Sequence, residues 1–549
     1  MRLKYQDVHL LLLSLTEIIC YRKLYTVRRL LTMSGCYPWH IFLIIMRTIL
    51  KSVFLLTVGL LAGVLASLQF SASAQHSSAQ QLPLDELRLL SNVFAQIKRE
   101  YVDPVDDKKV LIEAVKGMVA SLDPHSAYLD NKDFAEMQEQ TRGRFAGLGI
   151  EITAEDGLVK IINPIEDTPA SRAGLRAGDL ITQLDDKPVR GMTLDQAVRR
   201  MRGPVGTKIT LIIYRKTEER TFPVTITRAE IHVHSVKTKM VAPDTAWVRI
   251  TSFQETTVPD LAHKLKELGA QNPGLKNLIL DLRNNGGGLL QGAVGVAAAF
   301  LPPNVTVVST NGQTPESKRA YRAKLENYHL SEDGDPLADL PGWTKTIKMV
   351  VLVNAYSASA SEIVAGALQD HKRATIVGKT TFGKGSVQTV RNLTADSALK
   401  LTTAYYYTPS DKSIQARGII PDLPIDQNPD GDREDILATR EIDNENHLRN
   451  KQNPEDMEMS DREKRRIDEL RRLADENAQK TPEQREKEKQ KKPAEFGSNE
   501  DFMLQQALIY LHGGKPKLSQ SGLDAATSSN NKAKSKNVKT EKVSPSLKK

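Results

Sequence analysis

The sequence is short of the residues on which several functions depend. It has 549 residues but only two cysteines, Cys20 and Cys36, and both precede the stretch that reads as the mature protein. The body therefore has no thiol nucleophile and no disulfide framework. That composition fits an oxidising compartment. No Cys/His spacing suits zinc, and no aromatic RNA-binding motif is present. The formal net charge of +9 is concentrated towards the two ends, so it gives little support for a nucleic-acid partner. The length allows two or three domains with a sizeable core.

The amino terminus carries an export pattern. Arg47 and Lys51 precede an apolar run from Val53 to Leu68, and Ala72-Ser73-Ala74 supplies small residues before Gln75. Residues 46–74 are read as a secretory signal peptide or an uncleaved membrane anchor. Residues 1–45 form an extra basic and apolar extension, consistent with a true start at Met46. The alternative is a second membrane-associated segment, but Leu10 to Ile19 is too short to span a bilayer. Further on, Leu84 to Glu100 and Lys108 to Leu122 have helical apolar spacing. A proline stop at Tyr101-Val102-Asp103-Pro104 ends the first, and Asp123-Pro124-His125-Ser126 makes a turn after the second.

The stretch from Met349 to Gln388 is the densest in chemistry. It reads strand, tight turn, helix, strand, glycine-rich turn, strand. Ser357, Ser359 and Ser361 lie at the strand-to-helix junction, where a hydroxyl is exposed beside free helix amides. Lys384 sits on a glycine-flanked turn, with Gln388 four residues later. On a strand that spacing places both side chains on one face. A second strand, Leu278 to Leu282, runs into Arg283-Asn284-Asn285-Gly286-Gly287-Gly288, a turn whose amides can converge on an anion.

These motifs resemble the carboxy-terminal processing proteases, also called tail-specific proteases. Ser359-Ala360-Ser361-Glu362 and Phe382-Gly383-Lys384-Gly385-Ser386-Val387-Gln388 match the family's S-A-S-E and F-G-K-G-x-V-Q. The resemblance implies a Ser-Lys dyad with Ser359 as nucleophile, Lys384 as base and Gln388 as helper. It also implies an oxyanion hole from Ala360 and either Gly287 or Gly288. The family often has proline where Gly286 stands. Tyr101 to Pro104, Leu122 to Ser126, Lys400 to Tyr407 and Ile414 to Pro421 extend the resemblance over residues 84–425. A lysine acts as a base near neutral pH only if burial lowers its pKa from about 10.4.

Residues 145–228 resemble a PDZ domain. The Gly147-Leu148-Gly149-Ile150 loop would offer amides to a peptide carboxylate, and the following strand would pair with the peptide. Leu148, Ile150, Ala197 and Met201 are the candidate pocket residues, each equally readable as plain core. The implied partners are proteins with apolar C-termini.

The expected fold is multidomain α+β. It has a helical region at 84–144, the PDZ domain at 145–228 and a mixed sheet-and-helix protease core at 229–425. A charged helical extension follows at 426–512, and a basic tail at 513–549 is expected to be disordered. Within the extension, Asp461 to Ala478 and Asn499 to Leu511 read as helices, the second docking on the body. The implied activity is that of an exported serine endopeptidase of the periplasm or inner-membrane face, acting through an acyl-enzyme without cofactor or metal. Homo-oligomerisation through terminal helices, an adaptor protein and inner-membrane association are further expectations.

Competing readings carry less. Asp370-His371 lies at the far end of the helix from Ser359, about 17 Å away at 1.5 Å per residue. Gly378 to Lys384 fits G-x-x-x-x-G-K, but Gly385 stands where Ser or Thr is needed and a strand follows in place of a helix. Ser361 is expected to help cap the helix, and His125 to cap its own turn. The non-enzyme alternative is a PDZ scaffold on an inactive protease body. A crotonase-like acyl-handling enzyme would share the β-α architecture but has no reason to keep a PDZ module and a Ser-Lys pair.

Overall fold

The structure is a computed structural model. It describes residues 82–165, 167–329, 334–429, 438–452 and 494–519, with single positions between 46 and 59 and between 471 and 481. Most of the export pattern, most of the expected helix at 461–478 and nearly all of the basic tail lie outside the described residues. Among the described residues no helix is long and apolar enough to cross a membrane.

The chain separates into two units, residues 1–106 and 107–549. The described part of the first contains helix α1, Leu84–Glu100, which begins after Pro83 and has acidic residues in its first turn and basic ones in its last. That charge order complements the helix dipole. Leu84, Leu87, Leu90, Val93 and Ile97 are exposed along it.

The second unit opens with α2 (Asp107–Ala120), β1 (Ala127–Leu129) and α3 (Asn131–Arg142). Helix α3 falls within the expected helical region at 84–144 but was not bounded there, because Phe134 and Met137 alone give little periodicity. It is set by its ends: Asp130 accepts from the amides of Lys132 and Asp133, and Gly143 ends it at φ 68°.

A six-stranded sheet follows, built from β3 (Ile150–Glu155), β4 (Leu158–Pro164), β5 (Leu180–Leu184), β6 (Lys187–Pro188), β7 (Lys208–Arg215) and β8 (Arg220–Thr227). Short helix α4 (Pro169–Arg172) and helix α5 (Leu194–Met201) pack on it. Thr193 and Gln196 form a reciprocal cap at the start of α5. Strands β2 (Arg144–Gly147) and β9 (Ala229–His232) pair antiparallel where the chain enters and leaves this module.

The body is organised around a sheet ordered β10-β11-β12-β15-β16-β19. Its strands are β10 (Val236–Ala242), β11 (Thr245–Ile250), β12 (Asn277–Asp281), β15 (Lys348–Val353), β16 (Thr375–Gly378) and β19 (Leu423–Pro424). From β11 onwards every pair is parallel, as strand-helix repeats require. Helices α6 (Thr257–Gln271), α7 (Leu290–Phe300) and α9 (Ala360–Asp370) belong to the larger core, with Val248, Leu280 and Val351 from the strands. Trp247, Ile279, Val350 and Leu352 alternate to the opposite face, where α10 (Phe502–Leu511) brings Met503, Leu504, Ala507 and Leu508. Covering both faces explains the continuous apolar runs of β12 and β15. The expected docking of the carboxy-terminal helix is therefore present.

A second body sheet centres on β18 (Ala398–Tyr407). One edge of β18 pairs with β17 (Ser386–Asn392). The other pairs with β1 and then with β13 (Thr306–Gly312), which carries β14 (Arg319–Arg322). A short helix, α8 (Leu325–Tyr328), packs against α7.

Candidate active site

Two turns meet at the carboxyl ends of neighbouring strands, because β12 and β15 pair in register from Asn277↔Lys348 to Asp281↔Leu352. The turn after β15 carries Ser359. The turn after β12 carries the three glycines. Asn285 joins them: its carbonyl accepts from the Ala358 amide at 3.0 Å and from Ser361 Oγ at 2.9 Å. Ser361 thus ties the first turn of α9 to the glycine turn instead of capping the helix. Ser357 is likewise structural, donating to Leu282 O at 2.9 Å and accepting from the Asn354 amide at 3.0 Å.

Ser359 stands immediately before α9 with φ 56° and ψ −112°. A non-glycine residue there is strained, at a cost of about 1–3 kcal/mol. Its neighbour across the gap is Gly287. A Cβ on Gly287 would lie 2.8 Å from Ser359 Cβ and 3.0 Å from the Ala360 nitrogen, so only glycine fits. The Gly287 amide itself donates to Asn285 Oδ1 at 2.9 Å. Gly288 is drawn the other way, against the backbone of Phe253.

The centre of the site is Glu362, fully buried in the first turn of α9. Its Oε2 accepts from the Ser359 amide at 2.7 Å and the Lys384 amide at 2.9 Å. Its Oε1 accepts from Thr381 Oγ1 at 2.6 Å and the Gly383 amide at 2.7 Å. One carboxylate thereby fastens the serine turn to the lysine turn. Burial pushes this carboxyl up to about 7, against four donors that favour its ionised form. Tyr406 adds a second link: its buried phenol donates to Lys384 O and hydrogen-bonds Ser359.

Burial lowers the Lys384 ammonium to about 8, helped by the Lys400 charge and opposed by Glu441, Glu362 and Asp123. Lys384 precedes β17, and β17 has a register shift between Val387 and Gln388. The unpaired residue is Thr403 of β18, so alternation within β17 is kept and Gln388 does not face Thr403. Gln388 is instead placed opposite Thr402 of β18, and its Nε2 donates to Ser386 Oγ and Thr402 Oγ1, both at 3.1 Å.

His125 does not cap its own turn. Its Nε2 lies 2.8 Å from Oε2 of the buried Glu441, whose Oε1 accepts from Gln415 Nε2 at 2.9 Å. His371 ends α9 and bonds Thr306 O at 2.7 Å, remote from the serine turn as its spacing required. Thr381, Tyr406, Asp123, Thr402 and Glu441 were not singled out in the sequence. Glu362 was quoted there only as part of the serine motif. Among the described residues no group of His, Cys, Asp and Glu is arranged to hold a metal.

In the β3–β8 module the Leu148 carbonyl accepts from Ala170 and the Gly149 carbonyl from Ile165, both at 2.9 Å. In a trans peptide the next amide points the opposite way. The Gly149 and Ile150 amides are thus turned away from the module's interior, beside β3, which is an edge strand. Leu148, Ala197 and Met201 are buried in the module's core, and Ile150 packs partly buried against it.

Comparison with known proteins is consistent with each part. Residues 244–425 match the peptidase family S41, residues 160–215 the PDZ domain, and residues 62–133 the activating protease CtpB N-terminal domain. The carboxy-terminal-processing protease of Bartonella bacilliformis is 44% identical over 370 residues, covering 67% of this chain and 81% of that protein. A probable CtpA-like serine protease of Staphylococcus haemolyticus is 34% identical over 365 residues, 66% of this chain and 70% of that one. Among solved structures, the photosystem II D1 C-terminal processing protease is 28% identical, with 62% of this chain and 92% of that chain covered at a TM-score of 0.35.

Proposed function

The chain belongs to peptidase family S41 as a carboxy-terminal-processing serine protease with a PDZ domain, and from that premise we propose that Ser359 and Lys384 form its catalytic dyad. The observation that carries this is the Glu362 carboxylate, which accepts from the amides of both residues and so fixes one turn against the other.

Neutral Lys384 takes the Ser359 proton as Oγ attacks the scissile carbonyl. The Ala360 amide and a glycine amide hold the oxyanion. Gly287 has the position for this, though its amide is engaged by Asn285 in the resting structure, and Gly288 is the alternative. The C–N bond then breaks, the leaving amine takes the proton back from Lys384, and an acyl-Ser359 ester remains. Water, deprotonated by Lys384, hydrolyses that ester. Gln388 holds the lysine amine through a hydrogen bond.

The PDZ domain selects substrates by an apolar C-terminus. The carboxylate sits on the Gly149 and Ile150 amides, and the peptide strand adds to β3. Leu148, Ile150, Ala197 and Met201 shape the last side-chain pocket. The protein is exported through residues 46–74 to the periplasm or the periplasmic face of the inner membrane. It assembles through its terminal helices and accepts an adaptor.

The test is cleavage of an unstructured protein with an apolar C-terminus by the residue 75–549 form, beside Ser359→Ala and Lys384→Ala. Cleavage by the parent alone supports the dyad. Cleavage retained by both variants overturns it.

A further inference from the structure

The polar chain behind Gln388 runs out of the protease body into the turn at residues 123–126. Strand β1 is added to the edge of β18, with Ala127 opposite Lys400. The Thr402 amide continues that contact by donating to Ser126 Oγ at 3.0 Å. This places Asp123, a buried residue, beside the Thr402 side chain.

The direction of each hydrogen bond follows from counting protons. Asp123 Oδ1 accepts from the amides of His125 at 2.9 Å and Ser126 at 3.0 Å, and from Thr402 Oγ1 at 3.0 Å. Its Oδ2 accepts from Ser126 Oγ at 2.7 Å. Burial opposes ionisation, yet the Ser126 and Thr402 hydroxyls and the two amides hold this carboxyl below its usual range. An ionised carboxylate only accepts. The single hydroxyl proton of Thr402 is therefore committed to Asp123, and towards Gln388 the Thr402 oxygen can only accept. The group of Gln388 facing Thr402 must be its NH2, which also donates to Ser386 Oγ. Both amide protons are then used, and the Gln388 carbonyl oxygen is left as the free end.

We infer that Asp123, acting through Thr402, sets the orientation of the Gln388 amide so that its carbonyl oxygen is presented to the Lys384 amine. This rests on the reading of Lys384 as base and Gln388 as its partner. A lysine that shuttles a proton has no acceptor once it is an ammonium, so its partner must supply one. A flipped amide would present NH2 to an ammonium and repel it. Asp123 and Thr402 are thus positioning residues for the reaction. The turn that contributes Asp123 lies outside the segment matching peptidase S41.

The experiment compares Thr402→Val and Thr402→Ser in the residue 75–549 form, using the same unstructured protein substrate across a pH series. Thr402→Val keeps the side-chain shape and changes no charge. The charged groups acting on Lys384 are Lys400, Glu441, Glu362 and Asp123, with His125 behind Glu441. None of these residues is replaced. The expected result is a kcat lower by about 10- to 100-fold at unchanged KM, as for a misplaced catalytic group. The apparent pKa of kcat/KM moves to lower pH, because the carbonyl that favoured the ammonium is lost. Thr402→Ser restores both. In a Gln388→Ala background, Thr402→Val causes no further loss. Unchanged rate and pH profile in Thr402→Val, or the same loss with and without Gln388, would overturn the orientation role. Parent-like activity of Gln388→Ala itself would instead remove the assignment of Gln388, and this inference with it.

Discussion

Three side chains in the site have directions that can be measured. Burial and the Lys400 charge lower the Lys384 amine to about 8, so the fraction of neutral base rises with pH through that value. kcat/KM should therefore rise from neutral pH to a plateau above about 8. Removing the Lys400 charge relieves its repulsion of the ammonium, so Lys400→Gln should move the profile to higher pH. A profile that does not move would exclude electrostatic control by Lys400. Ser359 offers a separate test, since its φ of 56° disfavours any residue with a Cβ. Ser359→Gly should be inactive, yet more stable than Ser359→Ala by about 1 kcal/mol. Thermal unfolding of the two variants decides this. Tyr406→Phe keeps the buried ring but removes the phenol joining Lys384 O to Ser359, and should lower kcat at unchanged stability of the fold.

At the level of elements, the glycine turn depends on a helix far along the chain. Arg283, which opens that turn, is fully buried between Asp281 and Asp501. Asp501 accepts from both terminal nitrogens of Arg283, at 2.9 and 2.6 Å, while capping α10 through the Leu504 amide. Phe496 lies under the guanidinium with 4.1 Å between the Arg283 carbon and the ring centre. Removing one partner of a buried pair costs about 3–5 kcal/mol. Asp501→Ala should therefore lower the unfolding midpoint in denaturant and reduce cleavage with it. Truncation before Phe496 should do more, exposing Trp247, Ile279, Val350 and Leu352 on the uncovered sheet face. Soluble, active protein from that truncation would refute the dependence.

On the scale of the whole molecule, the PDZ domain is joined to the body through the β2–β9 pair and through side chains of α3. Arg202, at the end of α5, bonds Glu139 and stacks 5.2 Å from the Phe145 ring centre, while Lys132 lies 3.6 Å from Asp195. Peptide bound beside α5 would therefore act on a helix already tied to α3. A peptide with an apolar C-terminus should bind Ser359→Ala protein, and its C-terminal amide should bind far more weakly, as fluorescence anisotropy would read. Equal binding of acid and amide would exclude carboxylate recognition by the Gly149 and Ile150 amides.

What the sequence determined by itself was local. The strand and the helix on either side of the serine turn follow from apolar periodicity, and the structure bounds them at Lys348–Val353 and Ala360–Asp370. Ser359, Lys384 and the glycines follow from short motifs whose residues must be consecutive to shape a turn. The tertiary structure decided the rest because those partners meet only through folding. Asp123 reaches Thr402 across 279 positions because β1 pairs with β18. Asp501 reaches Arg283 across 218 because α10 covers the second face of a parallel sheet. His125 was misread as a local cap because its partner, Glu441, is 316 residues away. That Gln388 meets Thr402 was not legible because a bulge at Thr403 shifts the β17–β18 register without a mark in the sequence. A buried carboxylate gives no sign in sequence of the donors it will gather, and in this protein Glu362 and Asp123 each gather four.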